Sequence, residues 1–380
     1  LGAAHGTSTD PRSEEATLNH NKLIASLKAA ATPLTTQAAT ALDCLILELE
    51  TLRADRALRV ADVASRSVMG AETMTVGAAR HKIYVRQFAA DGFRPEHLLS
   101  AVVAAVSPAD LMNALPPRLR PSAAAPLQRK IDDQRRRLDT TPGSWNADKI
   151  ALRGLKVSRE GSDELPVLTL HFAETDHASF LAIAAEWESL MAAGLEGGPL
   201  RGEELLDILP GLSNSFGINL TVETADGQLL LTRRSAKTAS GQNLRHISVN
   251  EGMALVDVDP LTGRPDPYRT ALRGIAEELG VDLEAQPEMR DRITFHSLVC
   301  DVTRYEWALL GHVDLRETVW TSASFLHARQ LGMAPDAWES NAIEFIPMTK
   351  TAIETALEDD KEWVGHGYIN LALSSVHRFP

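Results

Sequence analysis

Two adjacent carboxylates, Glu277 and Glu278, follow Arg273 by four and five residues in the run Arg273-Gly274-Ile275-Ala276-Glu277-Glu278-Leu279-Gly280-Val281. Crowding two acids on one docked surface is costly unless a cation or an arginine compensates them. Hard oxygen donors of this kind suit magnesium. The chemistry open to such a pair is therefore metal-assisted work on an anionic substrate, or an ion-pair network that only holds the chain together. On an isolated helix a Glu-Glu pair is most often a solvated face.

The element that must position the pair is legible. Asp266 suits a helix N-cap, Pro267 the first helical turn and Gly280 a left-handed C-cap. Tyr268, Ala271, Leu272, Ile275 and Leu279 recur at three- and four-residue spacing and make one apolar face. The opposite face carries Arg273, Glu277 and Glu278. Before this helix, Gly217 to Thr224 and Gln228 to Ser235, joined through Ala225-Asp226-Gly227, read as a β-hairpin. After it, 293–303 and 307–315 read as strands, 322–331 as a helix, 343–345 as part of a strand, and the last fifteen residues as a closing helix.

The run 273–281 resembles the second half of the Nudix box, Arg-Glu-apolar-x-Glu-Glu-x-Gly-apolar, and fits it at every position but Gly274, where the family has a glutamate. The first half of the box fits badly: counting back from Arg273 puts Pro265 at its glutamate and Asp259 at its glycine, as a longer loop over 257–267 would cause. Asn250-Glu251-Gly252 is the nearest equivalent of the family's glycine. The resemblance implies an α/β (α+β) fold, a mixed-sheet α/β/α sandwich over 212–380. It also implies cleavage of the diphosphate of a nucleoside diphosphate derivative, nucleotide sugars being one candidate class, with magnesium (or manganese) as cofactor. By it Glu277, Glu278 and Glu251 are metal ligands, Glu339 the outlying acid, and Arg273 a brace for the glutamates. Arg233 or Arg234, with Glu251 and the backbone of Gly252, would meet the substrate. The missing glutamate at 274 implies a weakened or absent hydrolase unless Glu251 replaces it, and Gly274→Glu should then raise metal affinity. The family also pairs commonly as a homodimer.

The rest of the chain is sorted by composition. Residues 1–17 are small and polar and read as a disordered tail. Residues 18–110 read as an all-helical domain, with helices over 73–93 and 94–106. Its spacing over 53–106 is similar to a helix-turn-helix that would bring Arg80, His81, Lys82 and Arg86 to DNA. A Pro- and Arg-rich linker with a charged helix spans 111–148, and a strand–strand–helix (ββα) subdomain spans 149–211. A formal net charge of -13 argues against unspecific nucleic-acid binding by the whole surface. With two cysteines, Cys44 and Cys300, and no run of ~18 apolar residues, the expectation is a cytoplasmic chain with no membrane partner. Against the hydrolase stands a different class of function. In it a degenerate Nudix domain senses a nucleotide-type small molecule without cutting it and controls the helical module. A plain scaffold is a third reading.

Overall fold

The computed structural model describes residues 72–379 apart from 79–80, 88–91, 105, 121–123, 142–143, 161–164, 194–207, 239–240 and 284–286. In chain order the elements are β1 (Glu72–Ala78), β2 (His81–Gln87), β3 (Leu98–Val102), α1 (Pro108–Asn113), α2 (Ala124–Thr140), β4 (Asp148–Glu160), β5 (Leu165–Asp176), α3 (His177–Ala192), β6 (Phe216–Glu223), β7 (Gln228–Arg234), β8 (Arg245–Ile247) and β9 (Val249–Gly252). There follow β10 (Val258–Asp259), β11 (Arg264–Pro265), α4 (Pro267–Leu279), β12 (Ile293–Asp301), β13 (Glu306–Asp314), α5 (Ser322–Gln330), β14 (Ser340–Pro347), α6 (Lys350–Ala356) and α7 (Gly365–Arg378). The chain is thus a mixed α/β fold.

The larger sheet runs β1-β2-β12-β13-β6-β7-β14, with β13 and β6 parallel and the other neighbours antiparallel. Strands β6 and β7 pair only at their turn end, Val222 with Leu230 and Glu223 with Leu229. Beyond that they part, and β9 takes the free edge of β6 while β8 takes that of β7. The split opens the sheet where the acidic helix lies.

Side chains alternate across a strand, so each face of this sheet feeds a separate core. Ile218, Leu220, Val222 and Leu230 join Tyr268, Ala271, Ile275 and Leu279 of α4 in one. Leu229, Leu231, Ile247 and Leu310 join Tyr368, Ile369 and Leu371 of α7 in the other. Helix α4 has the ends its sequence specifies: the Asp266 side chain accepts from Tyr268 N, Pro267 opens the helix, and Gly280 closes it at φ 76°. Burying one stripe of each helix on opposite sheet faces gives three layers.

The amino-terminal half departs from expectation. The helix expected over 73–93 is the hairpin β1–β2, and β2 pairs with β12 of the larger sheet. Thr73, Thr75, Val76, Ile83, Tyr84 and Val85 favour a pleated, half-buried surface over a helix, and Ile83, Tyr84 and Val85 are buried. The helix expected over 94–106 is a turn followed by β3, which adds in parallel to β5. Among the described residues of 72–106 there is no helix-turn-helix, and Arg86, expected to face DNA, is buried at 7% exposure. His81 and Lys82 lie on β2. Arg80 and residues 53–71 of the expected DNA-binding segment lie outside the described residues, as do the expected tail 1–17 and Cys44. The larger sheet therefore takes strands from well before residue 212.

The expected strand–strand–helix unit is β4, β5 and α3, extended by β3 into a three-stranded sheet of order β3-β5-β4. Its apolar side continues into the core that α4 shares, through Ile150, Leu152, Leu168, Leu170, Ile183 and Trp187. Within the 111–148 linker, α2 carries the Arg135-Arg136-Arg137 run, and Arg135 Nε reaches Asp176 at 2.7 Å. No helix among the described residues is long and apolar enough to cross a membrane.

Candidate functional site

Arg273 is the hub of an acid-rich cluster between α4 and the strand β9. Its Nε and one terminal nitrogen hold the two oxygens of Asp257 at 2.8 and 2.9 Å. The other terminal nitrogen reaches Glu277 at 2.8 Å and Glu251 at 3.1 Å. The terminal nitrogen that holds Asp257 also donates to the Gly252 carbonyl at 2.8 Å. Burial works against the guanidinium charge, but the Asp257 hydrogen bonds and the fields of Glu251 and Glu277 outweigh it and raise its pKa. Arg273 is therefore a fixed cation, and Asp257, at 1% exposure, is its buried counter-ion. Sequence reading missed Asp257, which it placed at the edge of a loop.

Glu251 and Glu278 form the inner part of the cluster. Burial drives the Glu251 carboxyl up to about 7, against the pull of Arg273 and with the push of Glu277. Glu278 accepts a hydrogen bond from Asn250 N at 2.8 Å. Burial and then the charge of Glu251 nonetheless carry its pKa well above the carboxylate range, and Glu339 adds to the push. Glu278 is half-buried. Glu339 stands opposite, 3.9 Å from Arg234. Burial raises its pKa, Arg234 lowers it, and Asp336 raises it again.

Two glycines let these pieces approach. A Cβ on Gly274 would lie 2.7 Å from Val249 Cγ1 and 2.9 Å from Glu251 Cβ. No side chain fits there, so a glutamate at 274 has no room and the expected gain from Gly274→Glu is withdrawn. The space is filled by Glu251, which brings its own carboxylate. At the other end of α4, a Cβ on Gly280 would meet Ala334 N and the Met333 carbonyl carbon at 3.0 Å. That close approach, with Asp336 N donating to the Glu277 carbonyl at 2.9 Å, fastens the segment that carries Glu339 against the helix end.

The expected basic pair separates. Arg234 faces the cluster, whereas Arg233 turns to the Asn243 carbonyl at 2.8 Å and toward Glu362 at 3.6 Å. Neighbours on a strand face opposite ways, so the two could never both have reached one phosphate. Glu344, on β14, is held by Arg245 at 3.0 Å.

Among the described residues no group of three or more His, Cys, Asp or Glu side chains converges as a ready metal cage. The donor chemistry nevertheless suits a hard divalent ion. Glu251 and Glu278 each have one oxygen held by a backbone N–H, and the charge of Glu251 raises the pKa of Glu278. Glu277 is committed through one oxygen to Arg273. A cation between Glu251 and Glu278 would relieve their repulsion without breaking the Arg273–Asp257 pair.

No known family model matches this chain, and no curated protein matches it. Among solved structures it is similar to that of DR0079 from Deinococcus radiodurans. The identity is 16%, the alignment covers 38% of this chain and 70% of that one, and the TM-score is 0.23. A likeness of that size says nothing about chemistry.

Proposed function

We propose that this chain is a metal-assisted pyrophosphohydrolase of the Nudix type, cleaving the diphosphate of a nucleoside diphosphate derivative, with nucleotide sugars as a candidate class. One observation carries the reading: Glu251 Cβ and Cγ lie 2.9 and 3.2 Å from where a side chain at 274 would begin. The acid that the box lacks at 274 is thus supplied from the neighbouring strand.

In this reading Glu251 and Glu278 hold the ion, and Glu277 serves chiefly as a partner of Arg273. Magnesium or manganese, when bound, would neutralise charge on the phosphate oxygens and ease deprotonation of the attacking water. The chain's own residues do the rest. Arg273, locked by Asp257, holds Glu251 and Glu277 at 3.1 and 2.8 Å from one terminal nitrogen. Glu339, with its pKa raised by burial, is suited to accept the proton of the attacking water. Arg234, beside it, would meet the phosphate on that side. The water oxygen bonds to one phosphorus, the bridging P–O bond breaks, and the departing phosphate leaves with the bridging oxygen.

A second reading is favoured by the absence of a ready cage among the described residues: a chain that binds the nucleotide and does not cut it. Incubation with magnesium and a panel of nucleotide sugars, dinucleoside polyphosphates, NAD and ADP-ribose separates the two. Turnover that disappears in Glu251→Gln and Glu278→Gln supports hydrolysis. Tight binding of a panel member with no turnover supports sensing.

A further inference from the structure

Lys149, at the start of β4, is the side chain near the acid cluster that the foregoing chemistry leaves unused. A Cβ on Gly252 would lie 3.1 Å from Lys149 Nζ, so the ammonium rests against the backbone that follows Glu251. The position is fixed from both sides. Ile150 N donates to the Met253 carbonyl at 3.0 Å, tying the beginning of β4 to the residue after Gly252. The Lys149 stem lies near buried Phe180 of α3, with Nζ 5.7 Å from the ring centroid.

The second cation on that ring, Arg304, is 5.4 Å from the centroid and is served by Glu188 at 3.4 Å and Glu306 at 3.7 Å. Lys149 has no such service. Among the described residues its ammonium meets no carboxylate within salt-bridge distance and makes no hydrogen bond; it lies beside Phe180 and Gly252. It is close enough to Glu339 to lower that group's pKa, without touching it. A half-buried ammonium that no acid pairs leaves its charge for an anion that enters beside it. Lysine serves phosphate well as a compact point charge with three donors.

We propose that Lys149 is a phosphate-binding residue, reached across from the three-stranded unit, that grips an oxygen of the substrate's diphosphate at Gly252 while the acid cluster takes the cation. The inference rests on the hydrolase reading. It gives the three-stranded unit a part in substrate binding, and it gives Gly252 a reason to be glycine, since a methyl group there would crowd the ammonium.

The test is calorimetric titration of the full chain with magnesium alone and then with magnesium pyrophosphate, comparing wild type, Lys149→Met, Lys149→Arg and Gly252→Ala. Methionine keeps an unbranched stem over Phe180 while removing the charge, and the thermal midpoint of each variant checks the fold. A charge-assisted contact of this kind corresponds to about a tenfold to hundredfold change in affinity. Lys149→Met should weaken pyrophosphate by that factor and leave the magnesium titration and thermal midpoint unchanged. Lys149→Arg should restore much of the loss, and Gly252→Ala should show a smaller loss. Equal pyrophosphate affinity in wild type and Lys149→Met overturns the inference and leaves the hydrolase reading standing. Magnesium binding without pyrophosphate binding in wild type also overturns it. If wild type takes neither, both readings fall.

Discussion

Replacing Gly274 by alanine sets two effects of opposite sign against each other. In an exposed helix interior, Gly→Ala stabilises by about 1 kcal/mol. Here the new methyl would lie 2.7 Å from Val249 Cγ1 and 2.9 Å from Glu251 Cβ, well inside the ~3.5 Å at which carbon atoms begin to attract. Neither neighbour can swing away, because Val249 is buried at 0% exposure and both contacts are with atoms close to the β9 backbone. Relief requires α4 and β9 to part, and overpacking of this kind costs about 1–3 kcal/mol. The net expectation is a loss of roughly 0–2 kcal/mol, where propensity alone gives a gain. Urea unfolding followed by tryptophan fluorescence reads the sign. Val249→Ala in the same chain removes the nearest contact and should recover part of the deficit relative to Val249→Ala alone. Parting the two elements also moves Glu251 from Arg273, so turnover or magnesium affinity should fall with stability. A Gly274→Ala protein more stable than wild type by about 1 kcal/mol, with unchanged magnesium affinity, would refute the close-approach reasoning.

Two further outcomes are expected. Arg273→Met leaves Asp257, 1% exposed, without its bidentate partner, and breaking a buried pair in this way costs about 3–5 kcal/mol. Equilibrium unfolding measures it, and Arg273→Met with Asp257→Asn should recover a large part. The second concerns pH. Glu251 has its folded pKa raised to about 7, above the ~4.3 of an unfolded glutamate. Between those values the folded chain keeps a proton the unfolded chain has lost, so metal-free stability falls as pH rises from about 4.5 to about 7. Each pKa unit corresponds to about 1.4 kcal/mol, so the Glu251 share is at most about 4 kcal/mol. Glu278 acts in the same direction. Glu251→Gln should flatten that part of the pH–stability profile, and thermal melts across pH 4.5–8 without divalent ions would show it.

What could be read from the chain was local. The ends and apolar stripe of α4 are written within fifteen residues, and the structure places the cap, the proline and the terminal glycine where those residues demand. The hairpin of β6 and β7 was legible because its turn and both strands are contiguous. The segment 73–93, expected as a helix, holds strands because β1 pairs with β2 and β2 pairs with β12, more than two hundred residues later. The same distance hid Lys149 and Asp257. Each is an ordinary charged residue in its own segment, and it gains meaning only where β4, the residues after β9 and α4 meet. The divergence of Arg233 and Arg234 was legible in strand alternation, since adjacent residues cannot face one site. Gly274 carried a visible signal, a glycine in the middle of an amphipathic helix. Only the packed neighbour explains it.

The central claim is that Glu251, standing in for an acid at 274, holds a divalent ion together with Glu278. Magnesium titration of wild type beside Glu251→Gln and Glu278→Gln, followed by calorimetry at pH 8, tests it most directly. The account expects one saturable magnesium site in wild type that each substitution weakens at least about tenfold, a loss of ~1.4 kcal/mol or more. A wild-type chain with no saturable magnesium binding, or one whose binding is indifferent to both substitutions, would contradict it.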